Sequence, residues 1–260
     1  SSHKHGQQWR NTLTTYAYPV IGDLPVAHID TQEVLEILQP IWLNKTETAT
    51  RVRNRIELVL DYAGALKYRT GDNPARWRGN LANLLASPSK IREVKHHSAI
   101  PYDDISEFLV KLSSSKGLAA RALTLTILAA TRTSETLNAT WGEFDLSKGV
   151  WTIPKSRMKG SRPHRIPLSE PAVVLLKNLE TGSGSDYVFP GMKKGKALSN
   201  MSMTTVLRRM DRGDLTVHGF RSTFRDWAAE KTSYSWRVAE SALAHKLKDG
   251  TEAAYQRGDL

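Results

Sequence analysis

The chain has 260 residues, room for one large or two modest domains, and its 37 Lys and Arg against 26 Asp and Glu give a formal net charge of +11. That balance favours a polyanionic partner, and composition alone leaves both nucleic acid and an anionic membrane surface open. The lack of cysteine excludes a disulfide framework and a thiolate metal site and fits a reducing cytosol, while no apolar run approaches the ~20 residues that span a bilayer.

In chain order, residues 1 to about 86 read as helical. The opening SSHKHG has neither Met nor a signal-peptide pattern. Trp9, Leu13 and Tyr16 fall on one face of a first helix. Asp30 and Glu33 form a capping pair ahead of Val34, Leu35, Leu38 and Ile41. A third helix spans about Glu47 to Tyr68, with Val52, Ile56, Val59, Leu60 and Ala63 as its apolar face. Asn73-Pro74 breaks the pattern, and LANLL offers a short fourth helix. From Ser87 to Pro101 the periodicity fails among prolines and charges. The expected organisation is therefore a helical bundle over 1–90, a linker over 91–101 and a second domain over 102–260.

In that second domain DDISEFLVKL and LAARALTLTILAAT read as helices, the latter as a buried one. VWTIP and HRIPL read as two strands joined by a polar turn around Lys159-Gly160. SEPAVVLLKNLE returns to helix, YVFP is a short extended piece, and three helical segments follow, carrying HGFR, the run before ALAH, and AAYQR. The fold class is mainly α with a small β-sheet.

Six residues of this half form an ordered set: Arg132 in TRTSE, Lys159 in RMKG, His218 and Arg221 in HGFR, His245 in ALAH and Tyr255 in AAYQR. Two arginines can hold the non-bridging oxygens of a phosphate in transition. A Lys or His can protonate a leaving oxygen, and a Tyr hydroxyl can act as a covalent nucleophile. Such a set suits attack on a phosphodiester without a metal. His218 and Arg221, three apart on one helix, should lie side by side away from a core face of Phe220, Phe224, Trp227 and Ala228. Glu135 is placed to orient an arginine or histidine, and Lys155 is the nearest competitor of Lys159. The acidic residues do not cluster at ligand spacing, and neither HExxH nor GxxxxGK[ST] occurs, so no metal or nucleotide cofactor is expected.

The ordered set, with the flanking words VWTIP, HRIPLS, HGFRSTFRDWAAE and LAH, resembles the tyrosine recombinases, specifically the phage-type and genomic-island integrases. The likeness extends upstream through RVRNRIELVLDYA and NPARW and so covers nearly the whole chain. It implies a SAM-like core-binding helical domain followed by an α+β catalytic domain. It also implies Tyr255 as nucleophile of a 3′-phosphotyrosine intermediate, Lys159 as general acid, and His218, His245 and the two arginines as phosphate ligands. The partners implied are double-stranded attachment sites, sister protomers in a tetramer on DNA, and accessory DNA-bending or excision factors. The place implied is the bacterial cytoplasm, at the nucleoid. Relatives carry a further N-terminal domain and a longer C-terminal tail, so the chain reads as a fragment, monomeric when free.

The residues themselves are less decisive about DNA contacts. Arg51 and Arg55 lie one turn apart beside the apolar stripe of the third helix, where they either meet DNA or form a solvated face. Arg76 and Arg78, flanking Trp77, pose the same choice, and Arg225 is a salt-bridge or DNA-backbone residue. A nicking and resealing enzyme of topoisomerase type would use the same chemistry; a non-catalytic DNA-binding regulator that keeps the fold is the rival from another class, and the intact residue set argues against it.

Overall fold

The computed structural model describes residues 3–91, 98–158, 162–179 and 186–245. The chain forms two compact units, Ser1–Lys95 and His96–Leu260.

The first unit contains α1 (His3–Thr12), a π-helical turn (Leu13–Ala17), α2 (Tyr18–Ile21), α3 (Thr31–Trp42), α4 (Thr46–Ala65) and α5 (Pro88–Ile91). The start of α3 is set by its acidic pair: the Glu33 carboxylate accepts the Asp30 backbone N–H at 2.9 Å, satisfying a donor that no helical carbonyl can reach. Val34, Ile37, Leu38, Ile41 and Trp42 of α3 then pack on Ala49, Val52, Ile56 and Leu60 of α4. Each large aliphatic side chain buried there contributes about 1.5–3 kcal/mol. Trp42 stacks on Trp77 at 5.6 Å and donates its ring N–H to the Ala86 carbonyl at 2.8 Å. The Asn73-Pro74 turn is pinned to α4, because Asn73 donates to Asp61 at 2.6 Å and Arg53 donates to the Ala75 carbonyl at 2.8 Å.

Three features of this unit depart from periodicity. Val59, expected inside, is 46% exposed. Arg53 and Arg55 are buried instead, because both find hydrogen-bond partners there. LANLL supplies only a 3₁₀ turn, Leu81–Asn83.

The second unit contains α6 (Ile105–Ser113), α7 (Leu118–Leu128), α8 (Thr133–Leu137), β1 (Phe144–Asp145), β2 (Val150–Ile153), β3 (His164–Pro167), α9 (Glu170–Lys177), α10 (Ser202–Arg209), α11 (Gly219–Lys231) and α12 (Trp236–Ala242). The three strands form one antiparallel sheet in the order β1-β2-β3, with Trp151 opposite Ile166 and Ile153 opposite His164. Side chains alternate along β2, so Trp151 and Ile153 enter the core while Thr152 faces out. The core is built on α7, the inner face of the sheet, Leu176 of α9, Met203 and Leu207 of α10, and Phe220 of α11.

The expected linker over 91–101 narrows at both ends. Ile91 packs against the first core. Residues 98–100 are held by the second unit, where Thr223 donates its hydroxyl to the Ile100 carbonyl at 2.6 Å and the Ser98 carbonyl accepts from the Thr216 N–H at 3.3 Å. This approach explains the glycine of HGFR: a Cβ on Gly219 would collide with the Ser98 carbonyl oxygen.

Candidate active site

Arg132 is placed by what precedes and follows it. Helix α7 ends in a left-handed residue, Ala130 at φ 48°, which reverses the chain. The hydroxyls of Thr126, Thr131 and Thr136 pin that reversal from inside, the Thr136 oxygen lying 2.9 Å from that of Thr126 and 2.7 Å from that of Thr131. Arg132 then caps α8 in an extended conformation, and Glu135, 3% exposed, takes both its backbone N–H at 2.8 Å and its Nη1 at 2.7 Å. Glu135 thus orients the arginine, the first alternative read from TRTSE.

Arg221 lies in the first turn of α11 and is 4% exposed. It does not share an outward face with His218, which is exposed at the N-terminal end of the helix. The buried face is Phe220, Arg221, Thr223 and Ala228, whereas Trp227, expected in the core, is 42% exposed. An arginine can replace an apolar residue there because carbonyls meet it: Nη1 donates to Ala130 O, and Nη2 to Leu243 O at 2.5 Å. Arg132 Nη2 reaches the same corner, at 3.4 Å from Leu243 O and 3.1 Å from Ala244 O. Burial, reinforced by the Arg132 cation, lowers the Arg221 pKa to about 10, with Glu135 and Glu240 opposing, so it stays charged at neutral pH. Its Nε is buried with no hydrogen-bond partner.

His245 closes the group. Its Nε2 lies 3.1 Å from Arg221 Nη2 and its Nδ1 2.7 Å from Glu240 Oε2. The structure therefore brings Arg132, Glu135, Arg221 and His245 together around the carbonyls of Leu243 and Ala244. Lys159 and Tyr255 lie outside the described residues. The competitor Lys155 is exposed in a 3₁₀ turn, Lys155–Arg157.

Three residues that sequence reasoning passed over belong to this region. Glu240 also accepts from Arg225 Nε at 2.9 Å, so it serves two basic side chains. His164, read only as part of a strand, lies 3.2 Å through Nε2 from the Ala242 carbonyl. Burial lowers its pKa most; the Ala242 hydrogen bond and the Glu135 charge oppose that shift, and the Arg132 and Arg221 cations add to it. Arg157 pairs with Glu143 and donates to the Glu135 carbonyl, tying the chain after β2 to α8. No periodicity marks these residues; only tertiary contact does.

The residues read as DNA contacts differ among themselves. Arg51 is exposed and pairs with Glu47 one turn away. Arg55 is corrected: it is 7% exposed, donates to the Gln8 carbonyl at 2.9 Å and sits over the Trp9 ring at 5.5 Å. Its aliphatic stem and planar head pack under α1, so it presents no charge to a ligand. Arg76 and Arg78 are exposed and line a polar hollow of about 690 Å³ in the first unit, shared with Arg69, Asp30 and Asp72. Arg225 takes the salt-bridge alternative, with Glu240. Among the described residues no group of three or more His, Asp or Glu could hold a metal ion, and no helix is long and apolar enough to cross a membrane.

Known proteins share both units. The phage integrase central domain matches residues 1–80, and the phage integrase family matches residues 100–259. The chain is 32% identical to the prophage integrase IntZ of Escherichia coli K12 over 259 residues, covering 98% of this chain and 62% of that protein. It is 28% identical to the integrase of Enterobacteria phage P4, covering 98% and 61%. The chain thus spans about three-fifths of the length of these curated relatives. A lambda integrase fragment, residues 75–356, solved as a dimer on a COC′ core site, shares the fold with a TM-score of 0.72 at 17% identity, over 95% of this chain and 89% of that one. The lambda integrase tetramer on a Holliday junction gives 0.72 at 16%, over 100% and 74%. With both of its units matched, the chain belongs to the phage integrase family, the phage-type tyrosine recombinases.

Proposed function

We propose that this chain is the DNA-holding and DNA-cutting part of a site-specific integrase, which breaks and rejoins strands through a phosphotyrosine at Tyr255 to integrate or excise a mobile element. The observation that carries this reading is the corner where Arg132, Arg221 and His245 converge. Two guanidiniums meet at one carbonyl, that of Leu243. Such a pair of like charges favours a bound phosphate, which would take over the hydrogen bonds that the carbonyls now accept.

In this mechanism the Tyr255 hydroxyl gives up its proton to solvent, its oxygen forms a bond to phosphorus and the bond to the 5′-oxygen breaks. Lys159 protonates that oxygen, leaving a 3′-phosphotyrosine and a free 5′-hydroxyl. Arg132, Arg221, His218 and His245 stabilise the charge that grows on the non-bridging oxygens. The phosphotyrosine retains the bond energy, so an incoming 5′-hydroxyl reverses the steps without a nucleotide cofactor. Residues 1–90 act as the core-binding domain, with Arg51, Arg76 and Arg78 as its candidate DNA contacts, and residues 102–260 as the catalytic domain. Lambda integrase is described as a dimer on a core site and as a tetramer on a Holliday junction, which supports DNA as substrate and a tetramer as the working assembly.

The test is strand exchange between a supercoiled plasmid carrying an attachment site and a linear partner duplex. Joined products are expected, with the rate falling about 10²–10³-fold in Arg132→Ala and Arg221→Lys. Relaxation of plasmids lacking the site, with no joined product, would point to a nicking and resealing enzyme. Unchanged rates in both variants would overturn the proposal.

A further inference from the structure

The mechanism above gives no role to Glu240. It lies near the end of α12, five residues before His245, and its side chain is 16% exposed. Its oxygens are divided between two elements: Oε1 accepts from Arg225 of α11 at 2.9 Å, and Oε2 lies 2.7 Å from His245 Nδ1. A carboxylate only accepts, so Nδ1 must carry the proton. On the other side of the ring, Arg221 Nη2 only donates, so Nε2, 3.1 Å away, must accept. Together these contacts permit one neutral tautomer, Nδ1–H, in one ring orientation. The backbone repeats the tie, since the His245 N–H donates to the Glu240 carbonyl at 2.9 Å through a turn containing Ala244 at φ 47°.

We infer that Glu240 is a positioning residue, which locks the His245 ring with Nε2 facing the Arg221 guanidinium. Arg225 lies one helical turn beyond Arg221 on α11, so the Arg225–Glu240 pair references the ring to the helix that also carries Arg221. Nε2 is then the nitrogen that faces a phosphate oxygen at that guanidinium, where it donates once it too carries a proton, with the Glu240 carboxylate on the Nδ1–H side as counter-charge, as a partner on the far side of an imidazole orients it and stabilises its charged form in catalytic sites. The inference rests on the proposed role of His245 as a phosphate ligand. Arg225, with its side chain 65% exposed, acts here through Glu240.

Ring ¹⁵N NMR of histidine-labelled protein without DNA tests the hold on the ring, with the His245 signals assigned by their loss in His245→Gln. The wild-type neutral ring is expected as Nδ1–H. Glu240→Met, which keeps volume and removes the acceptor, should move it toward Nε2–H. Glu240→Gln, which keeps an acceptor, should restore Nδ1–H. Covalent adduct formation on a nicked duplex should slow about tenfold or more in the Met variant and recover in the Gln variant. A wild-type Nε2–H ring, an unchanged tautomer in the Met variant, or an unchanged adduct rate there would overturn the inference. A wild-type protein that forms no adduct would count against the proposed reaction instead, while the tautomer comparison, needing no DNA, still decides the hold on the ring.

Discussion

Arg132 depends on Glu135 for its place, and Glu135 on Arg132 for its burial. Removing one partner of such a pair leaves the other short of a counter-charge at a protein interior. Glu135→Ala should therefore cost about 3 kcal/mol in denaturant unfolding, with a smaller loss for Glu135→Gln, which keeps hydrogen bonds to the capping N–H. His164 gives a pH dependence. Its folded pKa is lowered from 6.5, chiefly by burial, so the unfolded chain binds the proton more tightly. The neutral ring's contribution to stability is complete above 6.5 and is lost as pH falls below it toward the lowered folded value. Melting temperatures should drop on acidification through that window, and His164→Gln should flatten that part of the curve. Four of the candidate site residues picked out from the sequence by type and order, Arg132, Glu135, Arg221 and His245, meet in space, whereas His218 is exposed at the start of α11. Glu240, His164 and Arg157 were not legible in the sequence, because Glu240 bridges Arg225 of the preceding helix and His245 beyond its own, and His164 and Arg157 act through backbone carbonyls distant in sequence. Arg55 misled for a related reason: helical spacing put it beside Arg51, but an acceptor distant in sequence, the Gln8 carbonyl, and the Trp9 face drew it inward.

Two turns aim backbone carbonyls at the arginines, and both use alanine where the backbone is left-handed, Ala130 at φ 48° and Ala244 at φ 47°. That conformation is strained for an L residue with a Cβ. Ala244→Gly is expected to raise stability by about 0.5–1 kcal/mol in thermal unfolding, and a loss of stability would mean the turn is held by its methyl group rather than by its hydrogen bonds. Gly219→Ala should do the reverse and destabilise by about 3 kcal/mol or more, since its Cβ meets backbone at Ser98 and backbone cannot rotate away. Helices with a clear apolar stripe, α3, α4, α6 and α7, were readable, as were β2 and β3 from their β-branched residues. Helix α10 was not, because its sequence, SMTTVLRR, is rich in Ser, Thr and Arg and its buried face is only Met203, Val206 and Leu207. Strand β1, Phe144–Asp145, is too short to show a period, and the π-helical turn at Leu13–Ala17 is a local widening that a 3.6-residue period cannot mark.

At the scale of the whole molecule, the +11 charge is the property most directly linked to a polyanion. Arg51 is held by an exposed pair with Glu47, worth about 0–1 kcal/mol, so exchanging that partner for a phosphate costs little. Binding of duplex DNA should therefore weaken steeply with salt. With roughly 6–10 phosphates neutralised, affinity is expected to fall about 10³–10⁵-fold between about 50 and 200 mM salt, and a salt-independent affinity would exclude phosphate clamping. Each unit has its own core, so the charge and the chemistry are carried on two separately packed supports. The most direct measurement of the proposed chemistry is covalent trapping. The protein is incubated with nicked duplexes carrying candidate attachment sequences, the mixture is resolved in SDS, and the DNA-linked peptide is mapped. The account predicts an SDS-resistant adduct on Tyr255 that is absent in Tyr255→Phe. An adduct on another residue, or tight binding of a nicked attachment duplex with no adduct, would contradict it.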